Sequence, residues 1–389
     1  MVVPIPVTNK GDMRVWQVRS ILGTGEPGHP RRRIVADDDA YRPRGDLFVV
    51  KIDISREPEG IHHSVVAKLK VDNDEVYPVV DTGTHYLFFI WKNWFEGVHK
   101  GDCSKILAGC YECPSGPCKG GPKTKVTFGD GTRVSLFKEE GKLQHDTGTT
   151  PIEFGLTANY ASPDQSAQPH ASLGLARNPK PGIGYLSIVE QLLSKKVIGS
   201  SAFSLYLKRG DHSTGQVILG GTDPSLYKAP LLFLAVDGHD FAGLDSFGIG
   251  GPSFPPFPVG DQVKLDTGTQ GILVPGVALI NIIPNIAARA SRTVEIKSSG
   301  PRLFKIACSD RQYLSDMTFF LKGEHGENVP LVFKPDDYVE PPTQPGQTDC
   351  DLIIQRDDFG EWLIGYPMLF GRYFYFEWDA HKIAFADLV

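Results

Sequence analysis

Short apolar runs alternate with polar and turn-forming clusters along most of the chain: DLFVVKIDI (46–54), SVVAKLKV (64–71), KVTF (125–128), RVSLF (133–137), FSLYL (203–207), GQVILGG (215–221), MTFFL (317–321) and RYFYFEW (372–378). Their length, their β-branched and aromatic content and their bounding turn residues predict strands. Helical periodicity is confined mainly to SIVEQLLSKK (187–196) and GVALINIIPNIAARA (276–290), each compatible with one apolar face. The pattern predicts a mostly β protein with a few short helices. No repeat of solenoid length occurs, yet the two halves echo each other, because each carries an apolar strand that runs directly into DTGT.

Composition agrees with strands and tight turns: the 389 residues include 42 Gly and 30 Pro. A chain of this length can bury a large core and is expected to form two lobes or domains. The net charge of −6 argues against a nucleic-acid partner, since the one basic run, Arg31 to Arg33, is answered by Asp37 to Asp39. No apolar run reaches membrane-spanning length, so no membrane span is expected. The opening MVVPIPVTNKGDMRVW has neither the basic start nor the apolar core of a secretory leader, which leaves a cytosolic chain or one whose leader has been replaced by Met1.

DTGT occurs three times, at Asp81–Thr84, Asp146–Thr149 and Asp266–Thr269. Asp81 follows VYPVV and precedes HYLFF, and Asp266 follows QVKL and precedes QGILVPG, so both stand where a buried strand ends in a glycine turn. Asp146 follows EEGKLQH and precedes TPIEF, a polar approach that reads as a surface turn in which Asp and Gly supply the geometry.

Around these loops the chain resembles the pepsin-like aspartic peptidases over nearly its whole length. The matching pieces, in order, are VVAKLKVDNDEVYPVVDTGT, the hairpin TFGDGT, FGL at 154–156, ASLGLA at 171–176, FSLYLKRGDHSTGQVILGGTDPSLY, VKLDTGTQGILVP, the Cys308 and Cys350 pair, and WLIGYPMLFGRYFYFEWDAHKIAFADL. The resemblance implies a bilobal, all-β fold with one DTGT loop per lobe facing across a long cleft. The expected divisions are an N-terminal extension or edge strand over 1–45, a first lobe over 46–199 and a second over 200–389. The resemblance also implies a monomer, a peptide or protein substrate, and neither cofactor nor metal.

Two carboxylates held a few ångströms apart cannot both ionise, so they share a proton; this family is the standard illustration of the effect. One member then activates a water while the other, protonated, polarises a carbonyl. Asp81 and Asp266 are the candidates, treated as a coupled pair without separate acid and base assignments. Thr82, Gly83 and Thr84, and their counterparts Thr267, Gly268 and Thr269, are the supporting residues. The glycines allow close approach, and the hydroxyls of Thr84 and Thr269 are expected to donate to the carboxylates and to favour an acidic working range.

Several positions depart from the family pattern. Its cleft-covering hairpin carries a Tyr that bonds to a Trp; here Phe128 and Phe88 stand at those positions, so both partners of one hydrogen bond are missing together. Phe88, Phe128, Gly129 and Asp130 are expected to touch substrate, with an apolar hairpin turning at Asp130 and Gly131 and Trp91 or Trp94 as candidates to fill the vacated space. VDNDEV, His239–Asp240 and Gly365–Tyr366 also differ from the family. Tyr366 is either a packed wall residue or a phenol facing the site, and burial habits favour the wall.

By the same resemblance, Cys308 and Cys350 form the second-lobe disulfide, which for a loop of this length stabilises by about 4 kcal/mol in the chain-entropy account. Cys103, Cys110, Cys113 and Cys118 offer a zinc reading through the CxxC pair. Irregular outer spacings and the lack of an intervening His favour two disulfides, with the pairing open. Six paired cysteines favour a secreted or lumenal protein. HPRRRIV reads either as a processing site that releases a prosegment or as a solvated loop of the mature chain, and the short stretch before Arg31 favours the loop; the prolines of VVPIPVTN suit an edge strand.

Three functions from different classes follow: an aspartic endopeptidase, a small-molecule enzyme using the same dyad for cyclisation, dehydration or isomerisation, and a peptidase-like binding or inhibitor protein. Intact loops favour the first. The missing flap hydroxyl and the altered Asp240 and Tyr366 motivate the second.

Overall fold

The stretch VKIDISREPE alternates buried and exposed positions at strand period, and it forms the strand Val50–Glu59. That strand pairs antiparallel with His62–Ala67 on one side and with Thr214–Leu219 on the other, Ile54 standing opposite both Ala67 and Gly215. A computed structural model describes residues 48–389 apart from 60–61, 165–166, 178–183, 211, 252, 300–302 and 343–345. The expectations for residues 1–45, including HPRRRIV and VVPIPVTN, lie outside the described residues.

Among the described residues the chain is built from strands, with short helices at their ends. The largest sheet has 15 strands and draws on both halves of the sequence. Ala202–Leu207 pairs with Arg372–Glu377, and that strand with Lys382–Asp387, so the chain's last strands extend a sheet begun by Val50–Glu59. A 7-stranded sheet and a 4-stranded sheet hold most of the rest of the second half. This is the bilobal pepsin-like fold.

The echo between the halves is a repeat of strand order. Val79–Asp81 runs parallel to Ser172–Gly174, which pairs antiparallel with Leu87–Ile90. Phe257–Leu265 runs parallel to Trp362–Ile364, which pairs antiparallel with Ile272–Pro275. A glycine stands beside the DTGT loop in each case, Gly174 as the last residue of its central strand and Gly365 directly after Ile364. A Cβ on Gly174 would meet the Tyr86 amide at 2.5 Å, and one on Gly365 would strike the Thr269 carbonyl. These glycines are demanded by close backbone approach.

Both predicted helices form. Ile188–Ser194 begins with a capping box in which Ser187 N donates to Glu190 Oε2 at 2.9 Å and Glu190 N to Ser187 Oγ at 3.4 Å. Gly276–Ala288 buries Leu279, Ile282 and Ile286 but leaves Val277 and Ile280 exposed, so its apolar residues extend beyond the buried face. No described helix is long and apolar enough to cross a membrane.

The cysteines pair as Cys103–Cys110, Cys113–Cys118 and Cys308–Cys350. The pairing left open by sequence is thus sequential, and it leaves no thiolate in the CxxC segment for a metal. Three disulfides fit an oxidising compartment.

Candidate active site

The two DTGT loops interlock through their threonines. Thr82 N donates to Thr267 Oγ1 at 3.1 Å and Thr267 N to Thr82 Oγ1 at 3.0 Å. Each hydroxyl then donates onward, Thr82 to the Leu265 carbonyl at 2.8 Å and Thr267 to the Val80 carbonyl at 2.7 Å. The N–H and the hydroxyl of each buried threonine are satisfied by the opposite loop and the strand leading into it, which locks the loops in one relative position.

That lock brings the carboxylates together. A Cβ built on Gly268 would lie 2.5 Å from Asp81 Cγ, and one built on Gly83 would fall on the Asp266 carboxylate. Each glycine therefore leaves the space that the opposite carboxylate fills. Asp81 Oδ1 accepts from Gly83 N at 2.8 Å and Thr84 N at 3.1 Å, while Asp266 Oδ1 accepts from Gly268 N at 3.1 Å. The surrounding protein first, and the neighbouring charge of Asp266 second, push the Asp81 carboxyl well above the usual carboxylate range, against the Gly83 N–H and the Lys264 charge.

The supporting hydroxyls are not where the sequence reading put them. Thr84 reaches Asp81 through its backbone N–H, and its hydroxyl accepts from Tyr86 N at 3.4 Å. Thr269 donates its N–H to the Asp266 carbonyl at 3.0 Å, and its own carbonyl accepts from Tyr366 N. A tight turn aims backbone amides inward and leaves these side chains outside the bonding to the carboxylates. The hydroxyls that hold the site are those of Thr82 and Thr267.

The third DTGT is separate. Asp146 stands at the apex of the hairpin joining Arg133–His145 to Gly148–Ala161, half exposed beside His145.

The hairpin of Lys123–Thr127 and Arg133–His145 packs Val126, Val134 and Leu136 against Phe88, in the strand that follows the first loop. Its turn is held by Asp130, whose Oδ1 accepts from Thr132 N at 2.8 Å and whose Oδ2 accepts from Thr132 Oγ1 at 2.7 Å. Gly131, at φ +87°, takes the left-handed position, and Gly129 and Asp130 are exposed. Phe88 is fully buried and Phe128 half-buried, their ring centroids 6.1 Å apart.

The space between them is taken by His170, not by Trp91 or Trp94. His170 lies 6.0 Å from Phe88 and 5.5 Å from Phe128 by ring centroids, and its Nδ1 is 3.0 Å from Tyr160 Oη. Trp91 packs edge-on against Phe137, and Trp94 lies against His99. Desolvation lowers the His170 pKa, against the charges of Glu59 and Asp130, which favours a neutral imidazole. Ser172, the cross-strand partner of Phe88, has a buried Oγ with no hydrogen-bond partner among the described residues. Sequence reasoning overlooked His170, Tyr160 and Ser172, although HASLG sets His170 two residues ahead of Ser172, where the strand begins.

Tyr366 is a wall residue. It is 1% exposed, and its hydroxyl donates to Glu340 Oε1 at 2.7 Å. The same oxygen accepts from Arg56 at 2.6 Å and lies 2.8 Å from His63 Nδ1, so a buried charged cluster sits under the second loop. Asp240, the other altered position, faces His381 Nδ1 at 3.1 Å.

A family model described as eukaryotic aspartyl protease matches residues 79–388. The chain belongs to this family. It is 26% identical over 303 residues to Renin-2 of Mus musculus, an alignment covering 73% of this chain and 71% of that relative. Identity to Pepsin-2B of Gadus morhua is 26% over 224 residues, covering 57% of this chain and 64% of the relative. Secreted aspartic protease 5 of Candida albicans is 26% identical over 270 residues, covering 66% and 61% respectively. Within this family, the chain carries two of its three DTGT motifs in the interlocked arrangement and the third on a hairpin apex.

Proposed function

We propose that the protein is an aspartic endopeptidase in which Asp81 and Asp266 share one proton and activate a water. The observation that carries this reading is the reciprocal fit, in which each loop's glycine vacates the space occupied by the other loop's carboxylate. In the singly protonated pair, the ionised carboxylate takes a proton from water as the water oxygen bonds to the scissile carbonyl carbon. The protonated carboxyl donates to the carbonyl oxygen, giving a tetrahedral intermediate. Collapse returns one hydroxyl proton to the pair, restores the carbonyl and breaks the C–N bond, and the leaving nitrogen takes a proton from the pair, which is left singly protonated as it began.

The upward push on Asp81 has a definite sign. A carboxyl with a raised pKa keeps its proton to higher pH, so the singly protonated pair persists above the ordinary carboxylate value of about 4. The upper limb of activity is expected above that value, which modifies the purely acidic range expected from hydroxyl donors. Substrate contacts are proposed from Phe128, Gly129 and His170, with Phe88 packed behind them. The positions that suggested a small-molecule enzyme are engaged internally, Tyr366 on Glu340 and Asp240 on His381. That observation favours the endopeptidase.

The test is digestion of a mixed peptide library from acidic to neutral pH, with and without a statine-type transition-state mimic. Cleavage at defined sequences that the mimic blocks is the expected result. Folded, disulfide-intact protein that cuts nothing across the range would overturn the reading in favour of small-molecule acid/base chemistry or a binding role.

A further inference from the structure

The strand Phe257–Leu265 runs straight into the second dyad loop, and strand alternation places Lys264 on the same face as Asp266. Lys264 Nζ donates to the Gly83 carbonyl at 3.2 Å, reaching from the strand of one loop into the turn of the other. Gly83 is the residue whose missing side chain makes room for Asp266. Lys264 is half-buried, and among the described residues no carboxylate lies within ion-pair distance of its ammonium. The equivalent position before the first loop, two residues ahead of Asp81, is Val79. A cation therefore approaches the carboxylate pair from the second loop's strand, with no counterpart before the first loop.

We propose that Lys264 is a positioning residue of the dyad: its ammonium ties the second loop's strand to the Gly83 carbonyl of the first loop and holds a fixed positive charge beside the carboxylates. The inference rests on the shared-proton reading above and adds to it the group that biases the pair. The groups acting on Asp81 are Asp266 from the opposite loop, Lys264 from the adjoining strand and the Gly83 N–H from its own turn. His85, next along the chain, is lowered by burial and sees Glu190, and His170 sees Glu59 and Asp130. Among these, the Lys264 ammonium is the one cation that opposes burial and the Asp266 charge at Asp81.

A cation beside a carboxylate pair favours ionisation, so removing it raises the pH at which both protons leave. Three variants separate charge from anchor. Lys264→Gln keeps a donor for the Gly83 carbonyl without the charge, Lys264→Arg keeps the charge, and Lys264→Met removes both. The experiment is a 13C carboxyl NMR titration of selectively labelled aspartates, with Asp81→Asn and Asp266→Asn proteins assigning the signals. It is run beside the pH profile of kcat/KM on a cleaved peptide.

The dyad titration is expected to move upward by about one pH unit in Lys264→Gln and Lys264→Met, and to stay at the wild-type position in Lys264→Arg. Both limbs of the rate profile should move with it. Titrations of Lys264→Gln and wild type that superimpose would overturn the proposal, as would a fall in kcat/KM that is uniform across pH. If wild type cleaves no peptide, the endopeptidase reading fails alone, because the NMR titration still decides the role of Lys264.

Discussion

The first and second DTGT loops have the same four residues, the same strand scheme and the same interlocking threonine bonds, yet their surroundings differ. Asp81 accepts two backbone N–H bonds, comes after Val79 and Val80, and is followed by a strand whose Phe88 packs against Phe128 and His170. Asp266 accepts one such bond, comes after Lys264 and Leu265, and sits above a buried cluster of Arg56, His63, Glu340 and Tyr366. A symmetric scaffold thus holds two identical carboxylates in unequal fields. Inequality of this kind lets a pair keep one proton without a fixed acid and a fixed base written into the motif.

The largest expected effect lies under the second loop. Burial raises the Glu340 carboxyl, but the hydrogen bond from His63, the charge of Arg56 and the bond from Tyr366 outweigh it and hold the group net below its usual range. A depressed carboxyl stabilises the fold above its unfolded pKa and loses that contribution as pH falls through the folded value. Glu340→Gln should cost about 3–5 kcal/mol at neutral pH, because Arg56 is left buried without its partner. Its stability should also depend less on pH than wild type across the acid limb. Urea midpoints at stepped pH measure both, and parallel wild-type and variant curves would remove the cluster from the account.

Next come the threonines, where the two loops should behave alike. Thr82→Val and Thr267→Val each orphan one backbone N–H and one carbonyl, for a cost of about 2–4 kcal/mol. Equal urea shifts in the two variants are expected; a clearly unequal pair would break the symmetric half of the comparison. Gly83→Ala and Gly268→Ala place a methyl where the opposite carboxylate stands, so each should lower kcat/KM by at least about 100-fold through displacement of the pair. The smallest effect belongs to the third motif. Asp146→Asn should leave cleavage unchanged and stability within about 0.5 kcal/mol, as measured by the same assays.

Much of this was legible in the chain because it depends on local pattern. The apolar runs became strands, SIVEQLLSKK carried its own capping box, and the flanks of DTGT separated two strand-end turns from a hairpin apex. The rest depended on groups far apart in sequence. Tyr366 became a wall because Glu340 and Arg56, 26 and 310 residues away, take up its hydroxyl. The supporting hydroxyls turned out to be Thr82 and Thr267, since alternation in a tight turn decides which side chain faces the other loop. Lys264 was readable in principle, because KLD puts a lysine and an aspartate on one strand face, but the anchoring Gly83 carbonyl comes from the other half of the chain.

In the proposed mechanism Asp81 and Asp266 act as one unit. The most direct test is the kcat/KM of Asp81→Asn, Asp266→Asn and the double variant on a single cleaved peptide, with melting curves confirming that all three are folded. Groups that share one proton fail together, so each single substitution should abolish turnover and the double should be no worse than either. A single variant that keeps wild-type turnover, or a double variant whose loss is the product of two partial losses, would contradict it.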